Sequence, residues 1–413
     1  MKKFTLVSSI LVVGLFVSSS MWPQNIEWKR QSSGVNQLLF SVASINFNYG
    51  CAIGHDGAIL HTSDGGSNWN QQMSGFNERF RGVAFADSSN GWAVGCNGTI
   101  LHTNDGGSNW NPQSSGATRF LRRVTFIDAN SGWAVGNNGI IVHTNDGGIN
   151  WIDQSSGIVD DLRSITVIDA NHGWASGFDG TIQHTSNGGR NWKHQVSGTN
   201  QRLSGITFID VNNGWTVGDN GTILHTNDGG ANWHPQVSGT IVPLSSIVFI
   251  DANEGWAVGG NGTILYTSDG GSSWGSQPSG TNQFLWDITF SDAEYGWAVG
   301  DGGTILRGIR PITGIENEPL ISSIPGTIEL SQNYPNPFNP TTTIQFSITK
   351  RTSVALNIFD ILGEEVARLV DNEVLAPGIY KRTFEAGHLS SGIYFYRIRA
   401  GEFEQTRKLT LLR

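Results

Sequence analysis

The chain is 413 residues long, with 14% charged residues, 54 glycines, 15 tryptophans and a formal net charge of −9. That balance excludes a nucleic-acid binder, which presents a basic face, and suits an all-β protein rich in turns. The length leaves room for one large core or for two domains.

Residues 1–20 read as a signal peptide. Lys2-Lys3 is the basic start, Phe4–Val17 the apolar core and Ser18-Ser19-Ser20 the small-residue cleavage region. The apolar run is too short to cross a bilayer comfortably. No cysteine follows it to carry a lipid, and no other stretch is a transmembrane candidate. An exported protein is expected.

From Trp28 onward the chain repeats. Trp28, Trp69, Trp110, Trp151, Trp192, Trp233 and Trp274 are spaced by 41 residues without slippage. Gly91-Trp92-Ala93-Val94-Gly95 returns at the same interval around Trp133, Trp174, Trp215, Trp256 and Trp297, and Gly50-Cys51-Ala52-Ile53-Gly54 is its first copy. One unit reads 203–210, 213–218, 222–226 and 232–236 as four short runs of β-branched and aromatic residues, each bounded by Gly, Asn or Asp. Asn220-Gly221 supplies positive φ angles for a turn between the second and third. Four strands in about 41 residues is a propeller blade, and the predicted architecture is a seven-bladed β-propeller over 21–308. Trp28 stands in a fourth-strand position before any blade begins, and the last unit stops after its third strand, Gly303–Arg307. The segment Glu27–Gln31 is therefore expected to close the ring as the outer strand of the last blade, pairing two edges that would otherwise stay open.

Between the third and fourth strands runs Thr62-x-Asp64-x-Gly66-x-x-Trp69. It returns with Asp105, Asp146, Asp228 and Asp269, once with Asn187, and with Trp110, Trp151, Trp192, Trp233 and Trp274. It resembles the Asp box of bacterial neuraminidase repeats. A short acceptor can bond its own turn, so these positions read as structural locks. His61, His102, His143, His184 and His225 also recur at 41, with Tyr266 and Arg307 completing the series. One histidine per blade cannot converge on one ion; no metal and no cofactor is expected. Cys51 and Cys96 occupy different positions of adjacent blades, where disulfide geometry is hard to reach.

The turns that enter each first strand vary most. Arg81, Arg122 and Arg163 hold one repeat position in successive blades, and Trp286 holds it in the last. With Arg202, Phe80 and Phe120 they form the candidate ligand-binding set: a basic arc with aromatic neighbours near the central mouth. Arginine pairs bidentately with carboxylates, so a carboxylated peptide or an acidic glycan would suit it; the alternative is a solvated rim whose arginine stems cover apolar surface.

Residues 309–329, with Pro311, Pro319 and Pro325, read as a linker. Beyond it tryptophan is absent, and six alternating runs over 342–412 predict a small immunoglobulin-like β-sandwich spanning 330–413. This tail carries Leu330-Ser-Gln-Asn-Tyr-Pro-Asn-Pro-Phe-Asn-Pro340, Ile358-Phe-Asp-Ile-Leu-Gly363 and Ser391-Gly-Ile-Tyr-Phe-Tyr396. It resembles the C-terminal sorting domain of the type IX secretion system (type A). The resemblance implies the type IX machinery as a partner, two export steps, and a place at the outer-membrane surface or outside the cell.

The repeat, with Gly-Trp-Ala-Val-Gly ahead of Thr-Ile-Leu-His-Thr-x-Asp-Gly-Gly-x-x-Trp, resembles the photosystem II stability and assembly factor family. That resemblance implies a seven-bladed propeller that binds another protein; it does not imply photosynthesis. Three functions stand at this point: a non-catalytic module binding protein or glycan, a sialidase-like glycoside hydrolase, and a structural adhesin. A sialidase uses a Tyr nucleophile and an Arg cluster. Only Tyr49, Tyr266 and Tyr295 lie in the propeller, all at repeat positions, and Ile309-Arg310-Pro311 is not the Arg-Ile-Pro signature. No catalytic residue is assigned.

Overall fold

The computed structural model describes residues 26–45, 48–291, 295–310, 328–375, 378–387 and 389–412. The proposed signal peptide and most of the proposed linker lie outside the described residues. Seven four-stranded antiparallel sheets form the blades. The first strands, Leu39–Ser44, Phe80–Phe85, Leu121–Phe126, Leu162–Val167, Leu203–Phe208, Leu244–Phe249 and Leu285–Phe290, follow one another around the axis. Blade 7 is completed from the other end of the propeller segment: Glu27–Gln31 pairs antiparallel with Ile305–Ile309, Trp28 opposite Gly308.

The turn between second and third strands is a tight one in each blade. In blade 3, Asn138 has φ 54° and Gly139 φ 66°, the left-handed region that Asn and Gly enter at least cost. The Gly-Trp-Ala-Val-Gly strands are buried at every residue. Trp92, Trp174 and Trp256 are wholly enclosed, and each packs against a phenylalanine of the next blade, as Trp92 does on Phe126 at 3.5 Å between ring centres.

Between-blade contacts repeat as well. Gln113 donates to the Gly147 carbonyl of the next blade's Asp-box turn at 2.9 Å and accepts from the Trp151 indole at 3.4 Å. Gln154, Gln195 and Gln236 do the same with Trp192, Trp233 and Trp274. The approach is close: a Cβ on Gly148, whose φ is +88°, would lie 2.1 Å from Gln113 Oε1. At the seam Trp28 donates to Gln277 at 3.1 Å, so the closing strand makes the same bond as Trp151, Trp192, Trp233 and Trp274.

The C-terminal domain has two antiparallel sheets, as the alternating runs predict. One orders Glu329–Leu330, Thr341–Ile348 and Gly378–Glu385; the other orders Glu365–Leu375, Thr352–Phe359, Gly392–Ala400 and Phe403–Leu411. Leu330, Phe338, Ile344, Phe346, Leu356, Ile358, Tyr396 and Leu409 lie in its core.

Candidate functional site

Each first strand starts with a β-bulge. Register slips between Phe80 and Gly82, between Leu121 and Arg123, between Leu162 and Ser164, and at the matching residues of the other blades. The unpaired extra residues are Phe40, Arg81, Arg122, Arg163, Ser204, Ser245 and Trp286. A bulge re-aims side chains. Here it sends two consecutive residues toward the axis, which an alternating strand cannot do: Arg122 and Arg123 both line the mouth cavity, as do Ser245 and Ser246.

That cavity, of about 60 Å³, gathers Arg81, Arg122, Arg123, Arg163 and Arg202 on one side and Phe40, Phe284 and Trp286 on another. The structure thus brings together the three arginines and the tryptophan singled out by repeat position, with Arg202 beside them. Phe120 stands just behind, with the Arg122 guanidinium 5.1 Å from its ring centre. Phe80 is a correction. It is fully buried in the inter-blade core with Ile53, Ala93 and Leu101, because it occupies the leucine position before the bulge and not the bulge itself.

The arginines differ in their company. Arg122 donates to Asn137 at 2.6 Å and pairs with Asp161 at 3.1 Å; Arg202 pairs with Asp219 at 2.6 Å. Among the described residues, no carboxylate lies within ion-pair distance of Arg81 or Arg163. Their contacts are aromatic: Arg81 stands 3.8 Å from the Phe40 ring and 5.1 Å from Trp286, and Arg163 stands 5.6 Å from Phe178. Burial first, then the like charges of Arg163, Arg122 and Arg79, pushes Arg81 down to about 9. Burial, then Arg122 and Arg202, pushes Arg163 down to about 10. Both remain cationic at neutral pH, and both would be relieved by an anion. The aromatic wall is fixed from behind: Trp286 donates to Asp301 at 2.6 Å and packs edge-on against Phe40.

The candidate ligand set left out Phe40, Phe284, Arg123 and Asp287. The signal was present for the last two. Their repeat position reads Ser41, Gly82, Arg123, Ser164, Gly205, Ser246, Asp287, five small residues and two long ones of opposite charge.

The Asp boxes are occupied by their own turns. Asp64 accepts from Thr62 at 2.9 Å, from the Asn68 N–H at 2.9 Å and from the Asn68 amide at 2.7 Å. Asn187 keeps the Thr185 and backbone bonds. His102, His143, His184 and His225 each stack on the tryptophan of their own blade, at 4.4–4.8 Å. Tyr266, which replaces histidine in blade 6, donates to Glu254 at 2.6 Å, and Arg310 bonds both oxygens of that carboxylate. This Tyr–Glu–Arg group does not line the mouth. Burial, then Glu254, drives the Tyr266 phenol upward, the opposite of what a nucleophile needs. Cys51 is buried, Cys96 half-buried, and both are free thiols. No helix among the described residues is long and apolar enough to cross a membrane.

Comparison with known proteins agrees with this architecture. The profile described as photosynthesis system II assembly factor YCF48 matches residues 21–113, 68–199 and 238–309. The profile described as secretion system C-terminal sorting domain matches residues 332–411. No curated protein matches the chain. Among solved structures, YCF48 bound to D1 peptide superposes with a TM-score of 0.60 at 23% identity, over 69% of this chain and 94% of that one. YCF48 from Cyanidioschyzon merolae gives 0.58 at 24%, over 68% and 98%. The WD40 β-propeller domain of Doa1 gives 0.59 at 11%, over 69% and 97%. At such identities the structures show the fold alone. The sorting tail marks an exported protein, destined for the cell surface or the medium. With its propeller matched by that profile over most of its length, the chain belongs to the photosynthesis system II assembly factor YCF48 family of repeats, here carrying a type IX sorting tail.

Proposed function

We propose that the chain is an exported, non-catalytic binding propeller whose mouth grips a carboxylate-bearing segment of another protein. The observation that carries this reading is the pair Arg81 and Arg163: half-buried guanidinium groups with aromatic contacts and no acidic partner among the described residues. Arginines with acids already in place are structural; cations left without one favour an incoming anion. The aromatic wall of Phe40, Phe284 and Trp286 would cover an apolar side chain next to that anion. A polypeptide is favoured over a glycan because a YCF48 propeller has been solved with a peptide bound. The sorting tail would hand the chain to the type IX machinery, and the propeller would meet its partner at or beyond the outer membrane.

The test is binding of the purified chain to peptide and glycan arrays, with Arg81→Ala/Arg122→Ala/Arg163→Ala beside it and sialoside turnover read in the same wells. Selective peptide binding that weakens by about 100-fold in the variant, the loss of more than one charge-assisted bond, is expected. Unchanged affinity in the variant removes the mouth as the site; turnover overturns the non-catalytic reading.

A further inference from the structure

The tunnel below the mouth holds one contact that the proposed ligand set does not use. Arg123 starts on blade 3 and Asp287 on blade 7, yet Arg123 Nη1 lies 2.7 Å from Asp287 Oδ2. These blades are not neighbours around the ring, so the pair crosses the axis. Asp287 is wholly buried. Its Oδ2 also accepts from the Ser41 hydroxyl at 2.8 Å and the Val42 N–H at 3.1 Å; its Oδ1 accepts from the Ser246 hydroxyl at 2.7 Å and the Ile288 N–H at 3.1 Å. One carboxylate thus joins blades 6, 7, 1 and 3, with five donors satisfying a group that burial would otherwise make costly.

Arg123 also has a cavity on each side. It lines the mouth, and it lines a second cavity of about 270 Å³ ringed by Thr125, Thr166, Thr207 and Thr289. The other residues common to both walls are Ser164, Gly205 and Ser246, too short to reach across. The Arg123 side chain, anchored on Asp287, is therefore what divides the tunnel.

We infer that this pair is a bolt flooring the mouth, which makes it a blind socket for the acidic end of a chain. This rests on the reading of the mouth as an anion site. The mouth's cavity of about 60 Å³ has room for about four to six water molecules, enough for one carboxylate and less than a folded-back loop. An internal acidic stretch would have to continue downward, where the bolt stops it. A free carboxyl terminus ends where the bolt begins, and an ammonium terminus is repelled by Arg81 and Arg163. Asp287 also holds the Arg123 charge away from the ligand, so Arg123 sets depth and does not bind.

The experiment titrates the purified chain with N-acetyl-tetraglutamate bearing a free carboxyl terminus. The second titrant is the same peptide continued by about eight Gly-Ser residues, which keeps every charge but moves the terminus. The wild type should bind the continued peptide about tenfold or more weakly, the effect of one lost charge-assisted bond. The Arg123→Ala/Asp287→Ala variant, which opens the tunnel and leaves no lone buried carboxylate, should bind both peptides alike. Arg123→Gln/Asp287→Asn, which keeps the partition without its charges, should keep the wild-type preference and serves if the alanine pair does not fold. Equal binding of both peptides by the wild type overturns the bolt and leaves the mouth intact. A preference that survives opening the tunnel overturns the assignment to Arg123. No binding of either peptide overturns the mouth itself, and the socket with it.

Discussion

Asp228 shows what one side chain does in a turn that recurs around the ring. The Asn232 amide, the Asn232 N–H and the Thr226 hydroxyl all donate to its carboxylate, and these bonds, the Asn232 amide first, hold it down at about 2. A carboxyl that titrates lower when folded adds stability that is complete above its unfolded value of about 3.9 and is lost as pH falls through about 2. Asp228→Asn should therefore cost stability at pH 6 and little at pH 2, read from denaturant midpoints; a pH-independent cost would show that the charge does not matter. Asn187 already shows an amide in this place. The Asp-box residues were legible because the turn needs an acceptor at one fixed spacing. Arg81 was legible for a related reason, being an odd residue repeated at a fixed place. Phe80 was misread because a phenylalanine suits a ligand wall as well as a core; the six leucines that share its repeat position were the letters that marked it as core.

The 41-residue period gave strand number, turns and blade count, because hydrophobic alternation and Asn-Gly turns act locally. The bulge at the head of each first strand is a shift in pairing register. It adds no diagnostic residue, so the doubled facing of Arg122 and Arg123 was hidden; the charges of Arg123 and Asp287 stood out in a column of small residues, but not that they meet. The third strands carry a separate pH response. Burial against tryptophan lowers the pKa of His102, His143 and His225, and burial followed by His172 and Lys193 lowers that of His184. The folded ring therefore favours neutral imidazoles, whereas the unfolded chain titrates near about 6.5. This contribution is complete above about 6.5 and is lost as pH falls below it toward the lowered folded values. His225→Tyr, which copies blade 6, should narrow the stability difference between pH 7.5 and pH 5.5; an unchanged difference would assign the acid sensitivity to other groups.

For the ring as a whole, the decisive joint is the seam. Trp28 is buried, donates to Gln277 and meets Phe290 edge-on, so Trp28→Ala should cost about 3–5 kcal/mol, as a buried aromatic truncation does. Trp192→Ala inside the ring should cost a similar amount. If the first were silent in calorimetry while the second was not, the seam would be no part of the folded unit. The complementary half-blades at 27–31 and 303–307 made this joint readable, whereas the axial bolt joins residues 164 positions apart, four repeats of 41, so spacing puts both in one repeat column but does not say which members of that column meet across the axis.

The seam also decides how the molecule bears tension. Ile305–Ile309 is the last propeller strand before the tail, so any pull on an anchored tail enters the ring there. That strand is held on both flanks, by Tyr295–Gly300 and by Glu27–Gln31, and it cannot be unzipped from a free side one bond at a time. Glu27–Gln31 thus works as a strain relief at the point where the cord leaves the plug. Cutting it away would expose the loaded strand as an edge, and the propeller would begin to unravel from its tethered end.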